Sequence, residues 1–250
     1  TGGSVDVAVI DTGAFTDHES LVGRKGSILG QVFHRSAQQY AGYYDVPNDP
    51  DDYQGHGTFV AGMVFGQGSA MNANRRGLAY GLDKLYNLKA GFATTTGGGS
   101  SLLSDLMEAV DWALDEARAD PPEVFNYSYG ATALADDDSY ARYWDAVVDT
   151  FGTTATISAG NAGPNPLTVG SPGIAHNIIS VANVSSRGTA TRTDDFIAGS
   201  SSRGPTLGGR RKPDLAAPGT SVWLPSTFGA AQWYQVTGTS FSAPAVAGAA

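Results

Sequence analysis

The apolar residues of this 250-residue chain fall into short runs whose period changes along its length. Val5-Asp6-Val7-Ala8-Val9-Ile10 is nearly continuous and β-branched, then stops at Asp11-Thr12-Gly13. This predicts a buried strand ending in a turn. Leu85 to Ala90, Val124 to Tyr129, Thr154 to Ala159 and Ile178 to Ala182 predict four more strands. Between them the spacing lengthens. Leu102, Leu106, Ala109, Val110, Ala113, Leu114 and Ala117 recur at helical intervals within Ser101 to Arg118. That predicts an amphipathic helix closed by Pro121-Pro122. Tyr140 to Phe151 predicts a second helix, closed by Gly152, and Phe59 to Val64 a shorter one. Asp45 to Asp52, with Pro47 and Pro50, and Thr94 to Ser100 predict loops.

Strands alternating with helices argue for an α/β fold with a mostly parallel sheet. With no internal repeat and no linker, residues 1–250 read as one domain. In open sheets of this kind, ligands sit beyond the carboxyl ends of the strands. Asp11, Ser128 and Asn161 all lie at predicted strand ends.

The chain has no cysteine, which excludes a thiol nucleophile, disulfides and thiolate metal sites. Its 24 acidic and 15 basic residues give a formal net charge of -9, which disfavours nucleic acid and anionic membranes as partners. The charge is compatible with Ca²⁺, which takes oxygen ligands, and equally with a role in solubility alone. No run is long and apolar enough for a membrane helix. Thr1 is not a translation start, so a processed or trimmed chain is expected.

Three short motifs carry candidate chemistry. Ser240 lies in Gly238-Thr239-Ser240-Phe241-Ser242-Ala243-Pro244, before an Ala- and Gly-rich helical run. Small neighbours let a carbonyl approach, and helix-start N–H groups can hold an anion. A capping serine is the alternative. Pro244 lies in the first turn of that helix or bends it. His56, between Gly55 and Gly57, offers a base of near-neutral pKa on an accessible turn, or a satisfied loop histidine. His18, His34 and His176 have no such setting. Asp11 ends a buried strand, where its carboxylate needs a partner. A histidine would serve, as would a turn capped with Thr12 and Gly13.

Asp11-Thr12-Gly13, Gly55-His56-Gly57-Thr58 and the heptapeptide around Ser240 resemble, in order, the three active-site signatures of the subtilase family. The resemblance runs over nearly the whole chain. It implies a subtilisin-like three-layer sandwich, with helices on both faces of a mostly parallel central sheet. It also implies a serine endopeptidase in which Ser240 is the nucleophile, His56 the general base and Asp11 the residue that orients it. Ser158-Ala159-Gly160-Asn161 resembles the segment with the oxyanion-hole asparagine, here Asn161. Ser128, Tyr129 and Gly130 resemble the strand that pairs with substrate. Ala159 and Gly160, in the Asn161 segment, are implied substrate-binding residues, and Thr168 to Gly173 resembles the floor of the primary pocket, whose Gly170 implies a large apolar or aromatic side chain before the cut bond. Ser201 to Pro205 and Lys212 to Gly219 resemble family scaffold.

Set against that family, the chain reads as lacking the usual N-terminal segment and the region after the nucleophile helix. No cofactor is required for the chemistry. Structural calcium is assigned to no residue: Ser20 stands where calcium-binding members carry an acidic side chain, and Glu19 and the Asp45 to Asp52 loop read as solvated carboxylates. The implied partners are polypeptide substrates and an inhibitory propeptide or further domains of the same precursor. The implied location is secreted or cell-surface, with an intracellular one left open. A catalytically silent binding module, a non-proteolytic serine hydrolase and a peptide ligase are the competing functions.

Overall fold

The computed structural model describes residues 5–34, 36–69, 73–115 and 120–250. In chain order the strands and α-helices are β1 (Val7–Asp11), β2 (Ile28–Val32), α1 (His56–Phe65), β3 (Leu85–Lys89), β4 (Gly91–Ala93), β5 (Gly99–Ser101), α2 (Leu103–Ala113) and β6 (Val124–Tyr127). There follow α3 (Ser139–Phe151), β7 (Thr154–Ser158), β8 (Ile179–Ser185), β9 (Phe196–Ile197), β10 (Leu215–Pro218), β11 (Val222–Pro225), β12 (Trp233–Val236) and α4 (Thr239–Ala247). The chain forms two compact units, Thr1–Phe125 with Leu224–Tyr234, and Asn126–Trp223 with Gln235–Ala250.

In the first unit β3 pairs in parallel with β1 and with β2. All five residues of β1 and of β3 are buried. Strands covered on both faces need such unbroken runs rather than alternation. Helix α1 is apolar nearly all round and buried from Gly57 to Phe65 except at Phe59. It packs on β1 together with α2. In the second unit β8 pairs in parallel with β7 and β10, and only the two-residue β9 runs antiparallel to it. Helix α4 packs on β7, β8 and β10, and α3 on β7. Both units therefore show the expected α/β construction around parallel strands.

Local chemistry explains the helix ends. Asp138 caps α3, accepting the Ala141 N–H at 3.0 Å. At its far end Gly152 takes a left-handed conformation, φ 64°. Helix α2 is shorter than its apolar spacing predicts. Leu106, Ala109, Val110 and Ala113 form its buried stripe, but Leu102 precedes it and Leu114 terminates it, well before Pro121. Ala117 lies outside the described residues. The Thr/Gly stretch read as a loop is one from 94 to 98, where it turns a hairpin, but Gly99 and Ser100 belong to β5, which pairs antiparallel with β4.

Candidate active site

In the first unit, Asp11 and His56 meet. Asp11 ends β1 and is 1 % exposed. His56 opens α1, and its Nδ1 lies 2.9 Å from Asp11 Oδ1 and 3.1 Å from Oδ2. The same Oδ1 accepts the Thr12 N–H at 2.8 Å. Burial by itself would lower the imidazole pKa. The Asp11 charge and hydrogen bond, with the Asp52 charge further off, outweigh it and hold His56 above its ordinary value.

The motif residues beside these two explain how strand end and helix start come so close. A Cβ on Gly57 would lie 2.1 Å from the Gly13 carbonyl oxygen. Gly13 has φ +113°, and its Cβ would lie 2.7 Å from the carbonyl oxygens of Pro50 and Asp51. Only glycine fits either place. Thr12 Oγ1 accepts the Gly57 N–H and donates to Asp52 Oδ1, each at 2.9 Å. Thr58 Oγ1 accepts the Phe15 N–H at 2.9 Å.

Asp52 is the residue that sequence reading missed. It is 5 % exposed. Its Oδ1 accepts the N–H groups of Gln54 and Gly55 at 3.0 and 2.8 Å, and its Oδ2 the Thr58 N–H and Oγ1–H at 2.8 and 2.7 Å. The Gly55 and Thr58 N–H groups are two of the otherwise unsatisfied donors at the start of α1; the other two, of His56 and Gly57, go to Gln54 Oε1 and Thr12 Oγ1. An acid four residues before the histidine, at a helix start, was the available signal. The reading of the 45–52 loop as solvated carboxylates is therefore corrected: the Asp45 side chain is also buried, paired with Lys89 at 2.7 Å. Glu19 accepts the Trp233 indole N–H at 2.7 Å. Among the described residues, no three His, Cys, Asp or Glu side chains converge as metal ligands. His18 is a satisfied core residue, with Nε2 2.8 Å from the Gln232 carbonyl and Nδ1 accepting the Ser20 N–H at 3.1 Å.

In the second unit, Ser240, Asn161 and Ser128 meet. Ser240 is the second residue of α4, so its N–H has no acceptor within the helix. Asn161 Oδ1 accepts the Thr239 N–H at 3.0 Å and its hydroxyl at 3.2 Å. Those donors fix which end of the amide is oxygen. Its NH₂ remains as the donor beside the helix start, 3.6 Å from where a Gly238 Cβ would be. Pro244 lies inside α4 and supplies no N–H, so the Ser240 carbonyl lacks its usual helical partner. Ser128 Oγ donates to that carbonyl instead, at 2.9 Å. Asn126 Nδ2 donates to Ser128 Oγ at 3.0 Å, and Ser240 Oγ lies 3.3 Å from the Ser128 carbonyl.

The remaining candidates cluster in the same unit. β6 ends at Tyr127, so Ser128, Tyr129 and Gly130 extend beyond it. Ala131 and Ser171 exchange two backbone hydrogen bonds of 2.9 Å, and Gly170 donates to the Ala159 carbonyl at 3.0 Å. A Cβ on Gly130 would lie 2.9 Å from the Ser171 carbonyl oxygen, and one on Gly170 2.7 Å from that of Ala131. Gly160, at φ +103°, stands against Ser202 Oγ in the same way.

A family model described as "Subtilase family" matches residues 2–250. The chain belongs to the subtilase family. It is 32 % identical over 273 residues to the serine protease AprX of Bacillus subtilis (strain 168), covering 100 % of this chain and 57 % of that protein. It is 28 % identical over 255 residues to thermitase of Thermoactinomyces vulgaris, covering 100 % and 74 %. Among solved structures, this subtilase superposes on sphericase with a TM-score of 0.73 at 26 % identity, over 99 % of this chain and 76 % of the other. The fold is thus subtilisin-like. The chain spans little more than half the length of several curated relatives it matches.

Proposed function

We propose that this subtilase is a serine endopeptidase, with residues 1–250 acting as one peptidase domain. The observation that carries the reading is the Asp11–His56 pair at 2.9 Å, which leaves the imidazole held in one tautomer and biased toward accepting a proton. Ser240 Oγ attacks the scissile carbonyl carbon as His56 takes its proton. Asp11 stabilises the resulting imidazolium. Asn161 Nδ2 and the Ser240 N–H donate to the oxyanion. The imidazolium protonates the leaving amine, and water then cleaves the acyl-enzyme by the same route. None of these steps uses a cofactor.

Ser128, Tyr129 and Gly130 pair with the substrate backbone as an added strand. Ala159, Gly160 and Gly170 bound the pocket for a large apolar or aromatic side chain before the cut bond. Glycine at 130, 160 and 170 lets these segments pack directly against Ser171, Ser202 and Ala131, where a Cβ would not fit. The substrates are polypeptides, and a propeptide or further domain of the precursor is the partner. Secretion or surface display agrees with the acidic, cysteine-free composition, and one relative carries the name minor extracellular protease. Among the described residues no helix is long and apolar enough to cross a membrane. A silent binding module and a peptide ligase gain no support from the site.

Hydrolysis of a peptide library by the wild-type chain and by Ser240→Ala tests the reading. Cleavage after large apolar residues by the wild type alone is the expected result. Equal cleavage by both would overturn the assignment of Ser240.

A further inference from the structure

Lys89 is a buried charge that the chemistry above does not use. It ends β3, level with Asp11 in the parallel ladder, and its side chain is wholly buried. An ammonium at that depth is costly unless its protons are all accepted. Nζ has three donors and meets three oxygens: Asp45 Oδ1 at 2.7 Å, the Asp49 carbonyl at 3.1 Å and the Asp51 carbonyl. The Tyr53 ring centroid lies 4.9 Å away. One carboxylate and two main-chain carbonyls form the kind of oxygen set a hard cation takes. Here the cation is a side chain.

The oxygens gathered by Lys89 belong to the loop that ends in Asp52. Asp45 Oδ2 accepts the Ala93 N–H at 3.1 Å, and the Pro50 carbonyl accepts Asn87 Nδ2 at 2.9 Å and the Ala14 N–H at 3.2 Å. The loop is therefore tied at residues 45, 49, 50 and 51. Asp52 follows at once and grips Thr12, Gly55 and Thr58 around the start of α1. His56 is the first residue of that helix.

We propose that the Lys89 ammonium is a built-in counter-cation that sets the 45–52 loop and, through Asp52, positions His56. Lys89 is thus a positioning residue, and its role rests on the general-base reading of His56. A displacement of about 1 Å at a reacting group can cost about a hundredfold in rate.

The test compares Lys89→Met, Lys89→Met/Asp45→Asn and Ser240→Ala with the wild type, measuring kcat, KM and thermal melting on the same preparations. Lys89→Met is expected to melt earlier, because Asp45 is left buried and unpaired, and to lose roughly 10- to 100-fold in kcat with KM nearly unchanged. The double variant removes both charges and is expected to recover most of the melting temperature. Its kcat stays low, because nothing then binds the Asp49 and Asp51 carbonyls. In Lys89→Ala, propylammonium chloride is expected to restore kcat where sodium chloride at equal ionic strength does not. A double variant with wild-type kcat, or no response to propylammonium, would overturn the proposal. Wild-type turnover by Ser240→Ala would refute the nucleophile assignment instead. Activity that depends on Ser240 but is indifferent to Lys89 refutes the positioning role alone.

Discussion

Asp11 and His56 sit among charges, whereas Ser240 and Asn161 sit among neutral groups. In the first unit, the Asp11 and Asp52 carboxylates accept from Thr12, the first turn of α1 and the imidazole, with a buried Lys89–Asp45 pair behind them. In the second unit, the network runs through amides, hydroxyls and carbonyls: Asn126 to Ser128, Ser128 to Ser240, Thr239 to Asn161. The difference follows from the two tasks. A base must have its pKa set, and charge does that strongly at short range. A nucleophile must be approached closely beside donors for a developing anion, which needs small residues and free N–H groups.

The largest effect that would separate the regions is Asp11→Asn. The fold should persist, since an amide fills the same space. The amide cannot hold the imidazole in its useful tautomer, and kcat should fall by about 10⁴, the size such a change has in other proteases of this chemistry. Steady-state kinetics with circular dichroism checks both parts. On the neutral side, Asn161→Ala should lower kcat by about 10²- to 10³-fold, a figure established for the equivalent donor in a subtilisin, with KM little altered.

A double-mutant cycle sharpens the neutral side further. Ser128→Ala leaves the Ser240 carbonyl without its donor and should cost about 1–3 kcal/mol in chemical denaturation. In a Pro244→Ala background the restored helical N–H can take that carbonyl, so the same change should cost less. Equal costs in both backgrounds would show that Pro244 and Ser128 are not linked.

The smallest effect concerns pH. His56 is held above the ordinary imidazole value, and the base must be neutral to act. The acid limb of kcat/KM should therefore lie above pH 6.5 or so, the usual midpoint of a free imidazole. Asp52→Asn removes one of the raising charges and should move the limb down. The sign for stability is the opposite. A histidine whose folded pKa exceeds its unfolded one stabilises the fold below the unfolded pKa. That contribution is lost as pH rises through the folded value.

Much of this was legible in the chain. The starts and ends of β1, β3, β6 and β7 fell within one or two residues of their apolar runs, because strands covered on both faces need continuous burial. Asp11, His56, Ser240 and Asn161 stood out because glycine and other small residues crowd around them. The edge strand β2 went unread: only Val32 in it is buried, so it shows neither a continuous run nor alternation. The two-residue β9 was too short to leave a pattern. Asp45 and Asp52 were misread, and the burial of Lys89 went unremarked, for a different reason. A loop acid and a strand lysine 44 residues apart look solvated until the fold brings them to 2.7 Å. Which carboxylate is buried is decided by tertiary packing, and no local period encodes it.

The most direct measurement is reaction of the folded chain with a fluorophosphonate, followed by peptide mapping, for the wild type, Ser240→Ala and His56→Ala. One adduct per wild-type molecule is expected, on the peptide carrying Ser240, and none for either variant on the same timescale. A folded wild-type chain that takes no label, or one labelled at another residue, would contradict the assignment of Ser240 as nucleophile.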